Sequence, residues 1–200
     1  MKAFVNFLSS FRIAVAFLII PALMMRFYWV AFIMYTLGAI SDWLDGFLAR
    51  KHNCCSKLGG VLDHIGDKLL VCNTFFMLTF IVPTWITVIP IILMIARELY
   101  ISGLREFLGT QKIEMPVPKA RFSMGKIKTT AQMIATVAFL LFFAIFTSIT
   151  PTTESPIVFY LISNLPQVGV FCLWFALVAS LWSATQYTIT FAQKLKKIKK

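Results

Sequence analysis

The sequence predicts an all-α integral membrane protein with six transmembrane helices and both termini in the cytoplasm. The first observation is composition: 59% of the 200 residues are hydrophobic and only 14% are charged, with a mean hydropathy of +0.82. Soluble domains average about 45–50% apolar and about 25% charged residues, which argues against a soluble globular fold. The second observation is a series of long apolar segments, and the third is an uneven distribution of the 19 basic residues.

Polar breaks divide the chain into apolar segments of the length that a hydrocarbon core of about 30 Å requires. The first predicted span, 8–25, ends at Arg26. The second and third spans, 28–49 and 59–82, are joined by a short basic loop and carry aspartates where they approach it. A cleaved signal peptide does not fit the N-terminus, because Arg12 abuts the first apolar run and no convincing small-residue cleavage site follows it.

The second half of the chain continues the same pattern. Pro83 and Trp85 predict an interfacial turn after the third span, and a loop over 148–166 is rich in Ser, Thr and Pro. The remaining spans are predicted at 87–107, 126–147 and 167–191. No internal repeat and no linker are visible in the sequence, so residues 1–200 are predicted to form one membrane domain.

The basic residues determine the predicted topology. With six spans, both termini share one side with the second-to-third and fourth-to-fifth loops, whereas the other side has Arg26 and a long loop without Lys or Arg. The positive-inside rule therefore places both termini in the cytoplasm. The net charge of +11 is thereby assigned to topology and to anionic membrane lipids, and no nucleic-acid partner is expected. The basic residues of the cytoplasmic side are Lys2, Arg12, Arg50, Lys51, Lys57, Lys112, Lys119, Arg121 and the five lysines of the C-terminal tail.

Half of the eight acidic residues lie in a single window, 42–67. Asp42 and Asp45 are separated by three positions and Asp63 and Asp67 by four, so each pair lies on one helix face. Because consecutive helices run antiparallel, the two faces can meet, and four carboxylates would repel unless protonated or bound to cations. Oxygen-only ligands suit Mg²⁺ or Mn²⁺, and such a site can hold one or two ions. The alternative is a solvated loop in which the aspartates pair with nearby basic residues.

The acidic window also carries a family signature. It reads Asp42-x2-Asp45-Gly46-x2-Ala49-Arg50-x8-Gly59-x3-Asp63-x3-Asp67, which resembles the CDP-alcohol phosphatidyltransferase family at every fixed position. The segments 95–98, 102–106 and 125–133 are similar to the phosphatidylglycerophosphate synthases within that family. The sequence departs from those synthases at Asp63-His64-Ile65-Gly66-Asp67-Lys68, where Asp-Pro-x-Ala-Asp-Lys is usual, and at Val5-Asn6, where Pro-Asn is usual. Neither departure removes a candidate metal ligand.

The resemblance implies an enzyme that transfers the phosphatidyl group from CDP-diacylglycerol to sn-glycerol 3-phosphate and releases CMP. It implies two metal ions, Mg²⁺ or Mn²⁺, bridged by Asp42 and Asp63. Asp45 would bind one ion, and Asp67 would bind the other and act as the general base. The residues expected at CDP-diacylglycerol are Gly46, Ala49, Arg50, Ser56 and Gly59. The candidates for the acceptor phosphate are Arg97, Arg105, Lys126 and Lys128. The resemblance further implies a homodimer in the cell inner (cytoplasmic) membrane, with its active site at the cytoplasmic face.

Arg97 lies well inside the fourth predicted span, where solvation does not explain a guanidinium. Pairing with Glu98 is the alternative to phosphate binding, and we expect it to be poor because adjacent helical residues point about 100° apart. Two other functions stay open. One is the same chemistry with another acceptor, inositol phosphate or phosphatidylglycerol. The other is an ion or metal transporter, although the acidic residues cluster at one membrane edge and no inverted repeat is visible.

Overall fold

The structure, a computed structural model, describes the backbone of residues 2–52, 57–110, 124–149 and 156–198, and the side chains of residues 7–42, 65–110, 127–149 and 156–195. Over the described backbone the chain forms six α-helices and no strand. The helices are α1 (Lys2–Met24), α2 (Tyr28–His52), α3 (Lys57–Ile81), α4 (Trp85–Thr110), α5 (Met124–Ser148) and α6 (Pro156–Ile198). The predicted all-α class is confirmed, and each predicted apolar segment corresponds to one helix.

Two tight turns connect helices at the same end of the bundle. At the end of α1, the Arg26 N–H donates to the Leu23 carbonyl and the Phe27 N–H donates to the Ala22 carbonyl. This pair of bonds is a Schellman motif, which satisfies carbonyls that the last turn of a helix leaves open. Its left-handed position is occupied by Arg26, with φ 61°. Between α3 and α4, Pro83 prevents the helix from continuing, and Thr84 directly precedes α4 in the N-cap position.

The last helix is longer than the sequence predicts. The loop predicted over 148–166 is wrong in its second half, because α6 begins at Pro156 and includes Pro166. Proline is favoured at the first helical position, where its fixed φ suits the helix and its missing N–H would have no intrahelical partner. At 1.5 Å per residue, the 43 residues of α6 extend about 65 Å, roughly twice the thickness of a hydrocarbon core.

The bundle contains two apolar clusters that share helices. Helices α1, α2, α3 and α5 enclose the first, which includes Val15, Ile19, Tyr35, Leu70 and Leu140. Helices α3, α4, α5 and α6 enclose the second, which includes Phe75, Ile91, Met94, Phe139 and Leu173. Because α3 and α5 contribute to both clusters, the six helices pack as one continuous body.

The outer surface of the bundle is apolar. Large side chains such as Phe80, Phe159 and Phe171 are mostly exposed, as expected for a surface that faces lipid. Within the described side chains, four segments are long and apolar enough to cross a membrane: Phe7–Met24, Trp85–Thr110, Ile127–Ser148 and Pro156–Leu195. The chain is therefore a multi-pass membrane protein. The acidic window lies on the other two helices, α2 and α3, largely outside the described side chains.

Candidate active site

A buried arginine joins two of the predicted metal ligands. Arg12 of α1 has no exposed surface, and its Nη1 lies 2.5 Å from Oδ1 of Asp67 and 3.2 Å from Oδ1 of Asp42. The two carboxylate oxygens are therefore no more than 5.7 Å apart, the sum of those distances. One aspartate of the α2 face and one of the α3 face therefore meet, with Arg12 between them.

Close packing of α1 on α3 permits the contact. A Cβ on Gly66, the residue before Asp67, would lie 3.4 Å from the Ser9 carbonyl oxygen, so the backbones approach closely at this point. About two turns after Gly66 on α3, the Asn73 side-chain amide donates to the Ala16 carbonyl at 2.8 Å. Position 66 would also admit the alanine that the resembled synthases carry, because a Cβ built there makes ordinary van der Waals contacts.

The oxygen ligands at this end of the bundle fit a hard divalent cation. Asp45 follows Asp42 by three residues within α2, and Asp63 precedes Asp67 by four residues within α3. Among the described side chains, no group of three or more His, Cys, Asp or Glu residues is close enough to hold a metal. The side chains of Asp45 and Asp63 lie outside that part of the chain. Arg12 neutralises the charge of one carboxylate of the pair Asp42 and Asp67. If Asp45 and Asp63 also face this point, the site would carry a net negative charge, which favours a bound cation.

A cluster of three cations around one carboxylate lies beside the acidic site. It consists of Lys68, Arg97, Glu98 and Lys128, and we call it the Glu98 cluster. Glu98 accepts from Lys128 and, at 3.0 Å, from Arg97, while its second oxygen is 3.9 Å from the Lys68 ammonium. Lys68 also donates to the Ser102 hydroxyl. With three positive charges and one negative charge, the cluster is formally +2, a suitable environment for an anion.

The expectation that Arg97 and Glu98 pair poorly is wrong, because the two adjacent side chains form an ion pair. Arg97 is held from the opposite side by α6, where its Nε donates to the Ser180 carbonyl and its Nη2 donates to the Ser183 hydroxyl, both at 3.1 Å. A long guanidinium side chain with these fixed contacts can reach a neighbouring carboxylate although the two Cα–Cβ directions diverge. Burial of Arg97 inside the predicted span is therefore compensated from within the protein.

The acidic site, formed by Arg12, Asp42 and Asp67, and the Glu98 cluster lie at the same level of α3, because Asp67 and Lys68 are consecutive residues of that helix. Five helices bring side chains to this end of the bundle: α1, α2, α3, α4 and α5, with α6 supporting Arg97 from behind. The arrangement places carboxylates that can accept a proton or bind a cation next to cations that can bind a phosphate. That combination suits a reaction between a hydroxyl group and a phosphorylated substrate.

Of the four residues predicted to bind the acceptor phosphate, Arg97 and Lys128 meet at Glu98. Arg105 lies apart from them, eight residues after Arg97 on α4, and donates to the Tyr187 hydroxyl at 2.9 Å. Its guanidinium also lies 5.0 Å from the centre of the Tyr187 ring, within cation–π distance. The remaining predicted site residues lie outside the described side chains: Asp45, Gly46, Ala49, Arg50, Ser56, Gly59, Asp63 and Lys126.

Three residues of this site are not among the sequence-predicted ligands: Arg12, Lys68 and Glu98. Arg12 was assigned from sequence to the charges that set topology, but it is buried against two carboxylates. The sequence does indicate that Arg12 could be buried, because it directly precedes the first apolar run. For Lys68 and Glu98 the available signal was adjacency, since each directly follows a predicted site residue, Asp67 or Arg97, on the same helix.

Comparisons with known proteins agree on one family. A family model described as CDP-alcohol phosphatidyltransferase matches residues 3–182. A protein of Salmonella choleraesuis (strain SC-B67) named CDP-diacylglycerol–glycerol-3-phosphate 3-phosphatidyltransferase is 34% identical over 187 residues, which cover 90% of each chain. Proteins of the same name from Shigella flexneri serotype 5b (34% identity, 90% of each chain) and Blochmanniella floridana (30% identity, 90% of this chain and 86% of the relative) are also similar.

Proposed function

The chain belongs to the CDP-alcohol phosphatidyltransferase family, and we propose from this membership that it transfers the phosphatidyl group from CDP-diacylglycerol to sn-glycerol 3-phosphate. The products are phosphatidylglycerophosphate and CMP, so the protein is a phospholipid-synthesising transferase. The observation that carries the proposal furthest within the structure is the convergence of Asp42 and Asp67 on Arg12, directly beside the Glu98 cluster. A donor diphosphate and an acceptor phosphate require such a combination of carboxylates and cations.

Asp42, Asp45, Asp63 and Asp67 are proposed to hold two divalent ions, Mg²⁺ or Mn²⁺. When bound, these ions would neutralise the donor diphosphate and stabilise the charge that develops on the departing CMP. The Asp42 and Asp67 oxygens lie within 5.7 Å of each other, so both carboxylates can belong to one group of cation ligands. Arg12 would keep both side chains oriented toward the same point.

Asp67 is the proposed general base. The acceptor hydroxyl oxygen forms a bond to the lipid-side phosphorus, the bond from that phosphorus to the CMP oxygen breaks, and the hydroxyl proton passes to the Asp67 carboxylate. Because an aspartate is much less basic than an alkoxide, orientation of the hydroxyl and neutralisation of the diphosphate must contribute to the rate. The contact with Arg12 fixes one carboxylate oxygen of Asp67 and thereby restricts its rotation.

The acceptor phosphate is proposed to bind at the Glu98 cluster. Lys128 and Arg97 already share one anionic partner there, and a phosphate dianion offers more acceptor oxygens than the carboxylate does. Binding beside Lys68 would place the acceptor hydroxyl near Asp67, the preceding residue on α3. Arg105 and Lys126 remain proposed contributors at the cytoplasmic approach to this cluster.

The donor is proposed to lie along the α2–α3 end of the site. By resemblance to the family signature, Gly46 and Gly59 would allow close approach of the diphosphate and cytidine to the backbone, and Arg50 would bind a phosphate oxygen. Ala49 and Ser56 complete the proposed CDP-diacylglycerol contacts. These five positions are close in sequence to the four aspartates, which is where a metal-bound diphosphate must sit.

All six helices are proposed to cross the cell inner (cytoplasmic) membrane, with both termini and the active site at the cytoplasmic face. The excess of Lys and Arg on that side supports this topology. The proposed partners besides the two substrates are anionic lipids, contacted by the lysine tail, and a second copy of the chain in a homodimer. Alkaline phosphatase fused after Lys200 should be inactive, whereas a fusion at Thr152 should be active. The reverse pattern would contradict the topology.

One assay tests the function. Purified protein is incubated with CDP-diacylglycerol, Mg²⁺ or Mn²⁺, and one acceptor at a time: sn-glycerol 3-phosphate, inositol phosphate, phosphatidylglycerol or serine. CMP release is expected with sn-glycerol 3-phosphate. Release with another acceptor alone would refute the substrate but keep the family chemistry. No release with any acceptor, together with metal uptake into liposomes that contain the protein, would indicate a transporter instead.

A further inference from the structure

A second concave site lies at the opposite end of the bundle from the candidate active site. It is a cavity of about 550 Å³ between α1, the start of α2 and the end of α3. Apolar side chains dominate its walls, among them Leu23, Met24, Phe76 and Phe80, and Arg26 is the charged residue in the lining. A volume of this size is in the range of small-molecule sites in proteins.

The cavity is remote from the reaction. Arg26 follows Arg12 by 14 residues along α1 and the turn after it, and Asp42 follows Tyr28, another lining residue, by 14 residues along α2. At 1.5 Å per residue, each separation corresponds to about 21 Å. The cavity is therefore distinct from the site proposed for CDP-diacylglycerol and glycerol phosphate.

The backbone at Arg26 is in an unfavourable conformation for a residue with a side chain. Arg26 has φ 61° in the turn that closes α1, a position that usually carries glycine. A left-handed conformation at a residue other than Gly, Asn or Asp is uncommon, and such residues concentrate at functional sites. Glycine would satisfy the same two turn hydrogen bonds without strain, so the turn alone does not account for an arginine here.

The surroundings place Arg26 at the level of lipid headgroups. Trp29 is the second residue of α2 and Trp85 is the first residue of α4, and both rings are substantially exposed at this end of the bundle. Exposed tryptophans typically mark the membrane–water interface. Below this level, Phe76 and Phe80 are mostly exposed and continue the cavity wall down the lipid-facing surface. The Arg26 side chain is exposed, and it forms no ion pair with any of the described side chains.

We propose that this cavity binds one anionic membrane phospholipid of the leaflet opposite the active site. Its phosphodiester pairs with the Arg26 guanidinium, and an acyl chain lies against Phe76 and Phe80. Charge complementarity selects this occupant, because an arginine at headgroup depth above an apolar wall matches a phosphate above a hydrocarbon chain. In phosphatidylcholine the choline ammonium competes with Arg26 for the phosphate. An anionic lipid lacks this internal cation, so it should bind Arg26 more tightly.

The test compares native protein with Arg26→Gly and Arg26→Lys in a neutral detergent. Binding of dioleoylphosphatidylglycerol and dioleoylphosphatidylcholine is titrated by native mass spectrometry, and thermal unfolding is followed in parallel. Arg26→Gly should unfold at a higher temperature than native protein without lipid, since the strain is removed. It should nevertheless bind phosphatidylglycerol about tenfold more weakly and lose most of the lipid-induced rise in unfolding temperature. Arg26→Lys should keep most of the binding.

Lipid bound at the active site contributes equally to the binding measured for native protein and for Arg26→Gly. The difference in lipid binding between the two proteins therefore reports on the cavity alone. A second pair of variants tests the apolar part: Met24→Trp fills the cavity mouth, whereas Phe171→Trp changes an exposed α6 residue outside it. Only Met24→Trp should weaken lipid binding. Equal lipid binding by native protein and Arg26→Gly would overturn the proposal. So would a change of oligomeric mass in Met24→Trp without a change in lipid binding, because that result would assign the cavity to a second copy of the chain.

Discussion

Arg12 and Asp67 are 55 positions apart in the chain, yet the guanidinium of one donates to the carboxylate of the other at 2.5 Å. Arg12 is fully buried, whereas the Asp67 side chain keeps about a third of its surface exposed. The arginine therefore stabilises the bundle from inside while the aspartate remains accessible to substrate. The first helix of the chain in this way contributes to the candidate active site, whose signature residues all lie on the next two helices.

Replacement of Arg12 should reduce stability most strongly when no metal is present. Arg12→Gln leaves Asp42 and Asp67 close together without their shared cation, and we expect a loss of about 2–3 kcal/mol. Mn²⁺ should restore part of the loss, because it replaces the missing positive charge. Thermal unfolding in detergent, with EDTA and then with Mn²⁺, checks both points. A metal-induced rise in unfolding temperature no larger in Arg12→Gln than in native protein would contradict this view, and Arg12→Lys serves as the charge-conserving control.

Asp67→Asn should abolish turnover while leaving the protein folded. The amide keeps the shape of the carboxylate but cannot accept the acceptor proton, so CMP release should fall by about a thousandfold. Glu106→Gln is a matched control, since Glu106 is an exposed carboxylate on α4 and should retain activity within about twofold. If Asp67→Asn keeps a tenth or more of native CMP release, Asp67 is not the base.

The Glu98 cluster should govern affinity for the acceptor. Lys128→Met removes a cation from the proposed phosphate site, and we expect KM for sn-glycerol 3-phosphate to rise about tenfold while KM for CDP-diacylglycerol changes little. Steady-state CMP release at varied concentrations of each substrate separates the two constants. Lys194→Met, near the end of α6, controls for loss of a single lysine. Equal increases in both KM values for Lys128→Met would argue against a dedicated acceptor-phosphate site.

Packing of α5 against α6 should depend on a glycine. A Cβ on Gly169 would lie 2.9 Å from Cε2 of Phe139, a ring held in the second apolar cluster. Gly169→Ala should therefore destabilise the protein by about 1–3 kcal/mol. Gly103→Ala is the matched control, because no atom lies within 4 Å of a Cβ built there and alanine favours the helix. Unfolding temperatures in the same detergent should fall for the first variant and hold or rise for the second.

Sequence patterns were sufficient to predict the six helices, and they indicated that the acidic faces of α2 and α3 can meet. Apolar length identified the helices, and one aspartate of each face, Asp42 and Asp67, converges on Arg12. The interpretation failed where partners came from distant parts of the chain. No local pattern connects Arg12 to residues 30 and 55 positions later, or Arg97 to Ser180 and Ser183 on the last helix.

The start of α6 shows a different limit of prediction. Ser, Thr and Pro between 148 and 166 are typical of a loop, but Pro156 is also a good first residue of a helix, and the apolar residues after it continue the helical pattern into the predicted span. Composition averaged over such a segment cannot locate the boundary inside it. The pairing of Arg97 with Glu98 similarly depends on side-chain conformation, which Cα–Cβ directions alone do not determine.

The buried Arg12 also has a consequence for the order in which the protein is made. Chains are synthesised from the N-terminus, so α1 enters the membrane before the acidic parts of α2 and α3 leave the ribosome. Carboxylates are costly to insert into hydrocarbon by themselves. The Arg12 guanidinium, which needs a negative partner, is therefore already in the membrane when Asp42 and Asp67 are inserted. Each half of the ion pair thus lowers the cost of inserting the other, and a chain lacking its first helix should fail during membrane insertion rather than at the chemical step.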